Sequence, residues 1–550
     1  MSISDRFTEL AHIRDSLGSL AADPSRVVMD KILSPTEAVI EGKQTILVGT
    51  NNYLGLTFDP DLIEAATTAL HEQGTGTTGS RMANGSFFSH ADLEEEFATF
   101  YGMPSAMLFS TGYQTNLGLL MGLLRPGDKV VLDSHSHACI YDGCRISGAD
   151  FFAFKHNDAG DLRKRLRRMG SDAEGALVIA EGLYSMLGDT APLADLCAVA
   201  KEYGAWFMVD EAHSFGIYGE TGRGLCEEAG ILDQVDFITG TFSKSLASLG
   251  GFCVSRHPEM RLLRYGSRPY IFSASSSPAN IAAAHAALRA IRDRPDLKER
   301  LWANAERLHA GLSGLGYRLA SPPSPVIAVR VPSHEEAART WNELLASGVY
   351  VNLVGPPGAP DGESLLRCSL SAGHSFAQID AIVAAFDAVR RDMGDVATAR
   401  AVDADDLAVE RHPCPSDRRR VFGEGHLDGR PGDGLAVQRD PHPAVGPAGR
   451  SLGLGGAGVD LDAAGREPLP GATFLLGVVV GARLLVLDGR PLALEPGTAG
   501  RGVELHPADV LEVDFDPGVG VQVAHLVGVL GDLLARRVSH DVTGGHPLRA

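Results

Sequence analysis

No run in this chain approaches the roughly 20 consecutive apolar residues that a membrane-spanning helix requires, so a transmembrane protein is not expected. Cysteine is scarce. The seven in 550 residues are odd in number and include no C-x-x-C pair and no metal-ligand spacing, which argues against both a disulfide scaffold and a bound zinc. Cys139 and Cys144 read as small buried residues in a reducing compartment, and the expected location is cytoplasmic. Positive charge is also short: 49 Lys and Arg against 69 Asp and Glu leave a net charge of -20, the wrong sign for a nucleic-acid partner. The opening residues, MSISDRFTELAHIRDSLGSL, lack the basic-then-apolar order of a signal peptide and read instead as an amphipathic helix.

The far end lacks more. Residues 397–550 contain no Lys, Ile, Tyr, Trp, Asn or Met, while Gly, Ala, Pro, Arg, Val, Leu and Asp dominate. The missing types are largely those with AT-rich codons, so a GC-rich gene read out of frame or on the wrong strand would give such a tail. The alternative is a genuine appendage, because LLGVVVGARLLVLDG and DVLEVDFDPGVGVQVAHLVGVL carry strand-like apolar runs. Neither reading gives the tail a catalytic role, and the basic cluster Arg418 to Arg420 reads as solvated.

The rest of the chain is long enough for more than one core. It is expected to form an N-terminal helix and extended arm (1–45), a large domain (46–285) and a smaller C-terminal α+β domain (286–396), ahead of the tail (397–550). From residue 91 helical stretches alternate with short apolar strands: AMLFS, KVVLD, a strand near 151–154, ALVIA, WFMVD and DFITG. That succession predicts a mostly parallel sheet with helices on both faces, and ligands then bind beyond the carboxyl ends of the strands.

Those ends carry chemistry. Thr111-Gly112-Tyr113 follows AMLFS and opens a helix, whose free N–H groups suit a phosphate. Ser134-His135-Ser136-His137 follows KVVLD, Glu181 to Ser185 follows ALVIA, and Asp210-Glu211-Ala212-His213 follows WFMV. DFITG runs into a tight turn, TFSKSLASLGG, in which Lys244 lies among small hydroxyl residues. A lysine held there loses part of its hydration, and its neutral amine becomes available to a carbonyl. The hydroxyls of Thr241 and Ser243 are left to hold a phosphate, and pyridoxal phosphate has both groups. The T-x-S-K-S turn alone equally fits a surface lysine in a serine-rich loop. Asp210 fits either a capping acid or the partner of a ring nitrogen; His137 is either a core histidine or a ring stacked on a cofactor. His213 could reach a phenolic oxygen, with Glu181 and Ser185 on the same rim. Asn52, in GTNNYLGL, lies in a capped helix start or a substrate-facing loop.

Taken together, NNYLGL, GTGTTGSR, STGYQTN, DSHSHACIYDG, EGLYSMLGD, VDEAHSFGIYGETGRG, GTFSKSLASLGG and RPYIFSAS resemble the alpha-oxoamine synthases over residues 35–392. These are fold-type I pyridoxal phosphate enzymes that join an amino acid to an acyl thioester with loss of carbon dioxide. The resemblance implies that Lys244 carries the cofactor and that Asp210 meets its ring nitrogen. It also implies that His137 stacks on the ring, that His213 meets the phenolic oxygen, and that Gly112, Tyr113, Thr241 and Ser243 cradle the phosphate. Ser273 falls where the family has a hydroxyl from the neighbouring subunit, which implies a homodimer with shared active sites. Arg367 matches the residue that meets the substrate carboxylate, a task for which a planar guanidinium fork is suited. An extra His135 precedes the stacking position and leaves open which imidazole faces the ring.

Within the family, SPTEAVIEGKQTILVGT, FSKS with RPYIF, ERLWANAERLHAGL and YVNLVGPPGAPDGESLLRCSLSAGH are most similar to the bacterial members that condense L-serine with palmitoyl-CoA to 3-oxosphinganine, the first step of sphingolipid synthesis. The alternatives are the members that use L-alanine with a pimeloyl thioester, or glycine with an acetyl donor. The thioester is carried by CoA or by a carrier protein, and peripheral contact with a membrane would help deliver so hydrophobic a product.

Overall fold

The computed structural model describes residues 3–19, 23–355, 358–359 and 362–392, together with three short segments at 476–480, 483–487 and 511–514. The chain falls into two compact units, Met1–Cys414 and Pro415–Ala550. The first unit opens with the expected helix, Ile3–Ser19, followed by β1 (Met29–Ser34), β2 (Glu37–Ile40) and β3 (Lys43–Leu47) as an antiparallel meander. Ile40 pairs with Lys43, so Glu41 and Gly42 form a two-residue hairpin turn, and both have the positive φ (50° and 76°) that such a turn demands.

The central sheet contains β4 (Ser105–Phe109), β5 (Lys129–Asp133), β6 (Asp150–Phe154), β7 (Leu177–Glu181), β8 (Trp206–Asp210), β9 (Phe237–Thr241) and β10 (Gly251–Ser255). Their order is β4-β10-β9-β8-β7-β5-β6, parallel except for β10, which runs antiparallel to both its neighbours. The mostly parallel sheet is therefore as the sequence predicts, with one strand not foreseen. GFCVS starts on the second of two consecutive glycines, Gly250 and Gly251, and reads as the end of the lysine turn.

Strands buried on both faces need apolar residues at every position. β4, β7, β9 and β10 are buried throughout, and successive residues serve opposite cores. Val178, Phe207, Val209, Ile238 and Phe252 belong to one apolar cluster, while Leu177, Ile179, Met208, Phe237 and Cys253 belong to the other. This two-sided packing fixes the register of the sheet, and so fixes where its carboxyl ends deliver their side chains.

A second antiparallel sheet follows, made of β11 (Val326–Val331), β13 (Asn352–Val354) and β14 (Ser364–Ser369), in the order β11-β14-β13. The stretch 349–354 is divided between two sheets. Its first half, β12 (Val349–Tyr350), pairs in parallel with β3, and only its second half joins β14. The break falls at Val351, whose carbonyl accepts from Trp341 Nε1 at 2.9 Å. The second unit contains β15 (Leu476–Val480), β16 (Arg483–Leu487) and β17 (Leu511–Asp514), paired antiparallel. Both strand-like runs noted in the tail thus supply strands, and the other expectations for 397–550 lie outside the described residues. Among the described residues no helix is long and apolar enough to cross a membrane, and six cysteines are buried and free.

Candidate active site

The lysine turn is built by aromatic packing. Phe242, fully buried, lies parallel to Phe97 at 5.8 Å, and Phe97 stacks on Phe252 at 4.2 Å. Its backbone N–H donates to Gly250 O at 2.9 Å, and its carbonyl accepts from Ser248 N at 2.9 Å. A Cβ on Gly250 would fall 2.3 Å from the Phe242 ring, so only glycine closes this turn. Ser245, donating to Phe215 O at 2.7 Å, ties down the residue after the lysine. With both neighbours anchored, the half-buried Lys244 is directed inward. Burial brings its ammonium down to about 8, against the opposing pull of Asp210 and Glu181 and with a further push from Arg367.

Asp210 ends β8 and is buried. Its Oδ1 accepts from Ala212 N at 2.8 Å and its Oδ2 from Asn116 Nδ2 at 2.6 Å. Asn116 was not singled out from the sequence. It lies one turn into the helix Gly112–Leu123, on the face above the sheet, and its carbonyl oxygen takes the Thr239 hydroxyl at 2.8 Å. The same amide nitrogen reaches Cys139 Sγ at 3.2 Å, and that sulfur lies 2.9 Å from His137 Nδ1. Cys139 N also donates to Nδ1 at 3.2 Å, while His137 N donates to Glu181 Oε1 at 2.5 Å. Desolvation lowers the His137 pKa. Burial pushes the Glu181 carboxyl well up, and the Asp210 charge adds to that. The two candidate imidazoles are separated in space. His137 meets Tyr113 edge-on at 6.1 Å, whereas His135 stacks on His156 at 3.8 Å.

Gly112 and Tyr113 start the helix that packs on β9, and the approach is close. A Cβ on Gly112 would fall 2.6 Å from Thr241 Cβ, and one on Gly251 would fall 2.9 Å from Gly112 Cα. Thr241 Oγ1 and Ser243 Oγ are 2.9 Å apart. Ser273 Oγ accepts from Gln114 Nε2 at 3.0 Å, which brings Ser273 to the same helix start within one chain. The Tyr113 hydroxyl donates to Asp142 Oδ2, the main reason its pKa rises to about 12. Initial helix N–H groups, two hydroxyls and a glycine with no room for a side chain are the donor set that a phosphate needs. With the inward lysine at one end and a buried carboxylate at another, these residues fit pyridoxal phosphate.

On the opposite side His213 is buried, and its ring Nδ1 shares a 2.7 Å hydrogen bond with the Tyr53 hydroxyl. Burial, with Lys244 and Arg367 adding, keeps that imidazole far below its ordinary pKa and therefore neutral. Arg367, in β14, donates from Nε to Ser185 O, from Nη1 to Ser369 Oγ at 2.7 Å and from Nη2 to Asn51 Oδ1 at 3.1 Å. The Tyr53 hydroxyl interacts with the same guanidinium, so the planar fork is oriented by partners on several sides and presents its charge to a carboxylate. Ser185 meets this arginine through its carbonyl. Asn52, the asparagine singled out from the sequence, turns the other way. Its Nδ2 donates to Thr57 Oγ1 at 2.8 Å and Pro35 O at 3.4 Å, and its neighbour Asn51 reaches the arginine.

The model of the class I and II aminotransferase family matches residues 43–386. Serine palmitoyltransferase of Caulobacter vibrioides is 49% identical over 394 residues, which cover 72% of this chain and 98% of that protein. Serine palmitoyltransferase of Sphingomonas paucimobilis is 48% identical over 387 residues, covering 70% and 92%. A high-resolution structure of SPT with a PLP internal aldimine superposes with a TM-score of 0.70 at 46% identity, covering 72% of this chain and all of that one.

Proposed function

The chain belongs to the class I and II aminotransferase family, and from that premise we propose that it is an acyltransferase that condenses L-serine with palmitoyl-CoA, releasing carbon dioxide, CoA and 3-oxosphinganine. The observation that carries this reading is the convergence of Lys244, Asp210, His137 and Arg367 at the carboxyl ends of the sheet, in a chain 49% identical over 394 residues to a serine palmitoyltransferase, 98% of which those residues cover. Pyridoxal phosphate, when bound, supplies a reactive carbonyl and a cationic ring that accepts the electron pair set free at the amino-acid α-carbon.

The chain's own residues do the rest. Arg367 offers its guanidinium to the serine carboxylate and so orients the amino acid. Lys244, with its ammonium near 8, supplies a neutral amine that takes the α-proton. The Asp210 carboxylate, held by Asn116 and Ala212, keeps a proton on the ring nitrogen. His137 presents the flat face of its imidazole, and His213 a neutral ring. The α-carbon then attacks the thioester carbonyl carbon, the CoA thiolate leaves and takes a proton, and the carboxylate departs as carbon dioxide. A proton delivered to the same carbon completes the product.

The same reading makes the protein a cytoplasmic homodimer with shared active sites, with a large domain over 46–285 and a small one over 286–396. Its place would be the entry to sphingolipid synthesis. The experiment incubates the purified, cofactor-loaded protein with L-serine, L-alanine or glycine against palmitoyl-CoA, pimeloyl-CoA and acetyl-CoA, and measures thiol release and product mass. Product from serine and palmitoyl-CoA at a kcat/KM well above every other pair is the expected result. A preference for alanine with pimeloyl-CoA would overturn the assignment.

A further inference from the structure

A dense cluster of ionisable side chains outside the residues assigned above lies at one edge of the central sheet, in the segment FFAFKHND. His156 follows β6 and is gripped by two carboxylates. Nδ1 lies 2.8 Å from Asp133 Oδ1, and Nε2 lies 2.7 Å from Asp189 Oδ2. A neutral imidazole has one N–H and could serve only one of them, so the pair of acceptors calls for the doubly protonated ring. Burial works against that charge, and the two carboxylates outweigh it, raising the pKa to about 9. The other groups facing the ring are His135, stacked at 3.8 Å, and Tyr184, edge-on at 4.5 Å. Asn157 strengthens the grip from a left-handed backbone position (φ 55°): its N–H donates to Asp133 Oδ2 at 2.9 Å and its Nδ2 to Asp189 Oδ2 at 2.8 Å.

The two carboxylates belong to different parts of the site. Asp133 ends β5, and it shapes the turn that presents His137: its Oδ1 accepts from His135 N at 2.8 Å and its carbonyl from Ser136 N at 3.1 Å. Asp189 closes the loop after β7, where its carbonyl accepts from Tyr184 N at 2.9 Å and Gly188 N donates to Tyr184 O at 3.0 Å. That loop carries Ser185, whose carbonyl accepts from Arg367 Nε. Its far side is pressed against the start of β11. Ser324 Oγ donates to Gly188 O at 2.7 Å, and a Cβ on Gly188 would fall 1.9 Å from Val326 O.

We propose that His156, clamped between Asp133 and Asp189, is a positioning residue that holds the 182–190 loop, and through the Ser185 carbonyl the Arg367 guanidinium, in register with the turn that carries His137. The proposal rests on the reading of Arg367 as the group that binds the amino-acid carboxylate. The clamp touches none of the reacting atoms. Its loss acts on where the amino acid is held and leaves the attachment of the cofactor to Lys244 unchanged.

The test compares the parent protein with H156Q, D189N and the double variant, all loaded with pyridoxal phosphate. Glycine, L-alanine and L-serine are titrated, with binding read from the visible absorbance. For whichever amino acid the parent binds, Kd should rise about tenfold in each single variant and no further in the double variant, because both changes remove one shared interaction. The absorbance of the resting protein should stay as in the parent. In the parent, Kd should climb as pH passes through about 9, and in H156Q that climb should be absent. Amide exchange at Tyr184 and Gly188, measured without substrate, should be faster by about tenfold in H156Q. Parental values in either measurement overturn the proposal. Failure of the functional reading looks different: the parent forms no product from serine and palmitoyl-CoA, while the clamp variants still shift Kd and exchange.

Discussion

Asn116 Nδ2 lies 2.6 Å from Asp210 Oδ2 while Asn116 Oδ1 takes the Thr239 hydroxyl at 2.8 Å, and a flipped amide would set its oxygen against the Asp210 carboxylate. The orientation of the buried acid is therefore set from the neighbouring helix. A hydrogen bond to a charged group contributes about 1.5–3 kcal/mol, a neutral one about 1. Asn116→Leu should raise the Kd for pyridoxal phosphate by ten- to a hundredfold, on the order of 1.4–2.7 kcal/mol. Thr239→Val, which removes only the neutral bond, should raise it by about fivefold or less. Equilibrium dialysis checks both, and equal effects would mean that Asn116 acts through packing alone.

Lys244 sets a pH dependence whose direction follows from its burial. Below about 8 its amine is an ammonium and cannot add to a carbonyl; above that it is neutral. The rate at which apo-protein captures pyridoxal phosphate should climb with pH and level off just above 8, where an ordinary lysine would level off near about 10.4. Stopped-flow absorbance reads this directly. Lys244→Ala should give no such signal and no condensation, and a plateau near 10 in the parent would place the amine in water.

Arg367 spends Nε on Ser185 O, Nη1 on Ser369 and Nη2 on Asn51. A lysine has three N–H bonds on one atom, and it cannot hold those three partners and a carboxylate too. Arg367→Lys should raise KM for the amino acid by about tenfold or more, with the KM for the acyl thioester within about twofold of the parent. Steady-state kinetics with each substrate varied in turn separates the two. A change confined to the thioester would assign this arginine to the other substrate.

The sequence made the strand ends legible because apolar runs buried on both faces leave little choice of register, and the chemistry follows each run directly. Asp210, Glu181, Lys244 and the Gly112 helix start were all found that way. β10 was not, because a five-residue strand that begins on the second of two glycines carries no periodicity separate from the turn. The division of 349–354 between two sheets was equally hidden, since an extended pattern does not name its partner. Asn51 and Asn52 are adjacent in a turn and point in different directions, which no spacing rule distinguishes. Asn116 was findable: it lies four residues after Gly112, hence on the same helical face as the glycine that packs against Thr241.

The composition of residues 397–550, with six residue types missing, bears on how much of the chain the reaction uses. The family model ends at 386, and 394 residues of this chain account for 98% of the Caulobacter vibrioides relative. All the site residues identified above lie between Asn51 and Ser369. A chain ended at residue 396 should therefore match the full-length protein in cofactor absorbance, in kcat/KM within about twofold, and in melting temperature within a few degrees. The two proteins would be compared by absorbance, steady-state kinetics and thermal denaturation. A truncated chain that folds and binds cofactor but loses condensation would show that the tail takes part in the reaction. If the tail is a frame or strand error, intact-mass measurement of the protein from its native source should give a mass well below the 58.1 kDa of this chain.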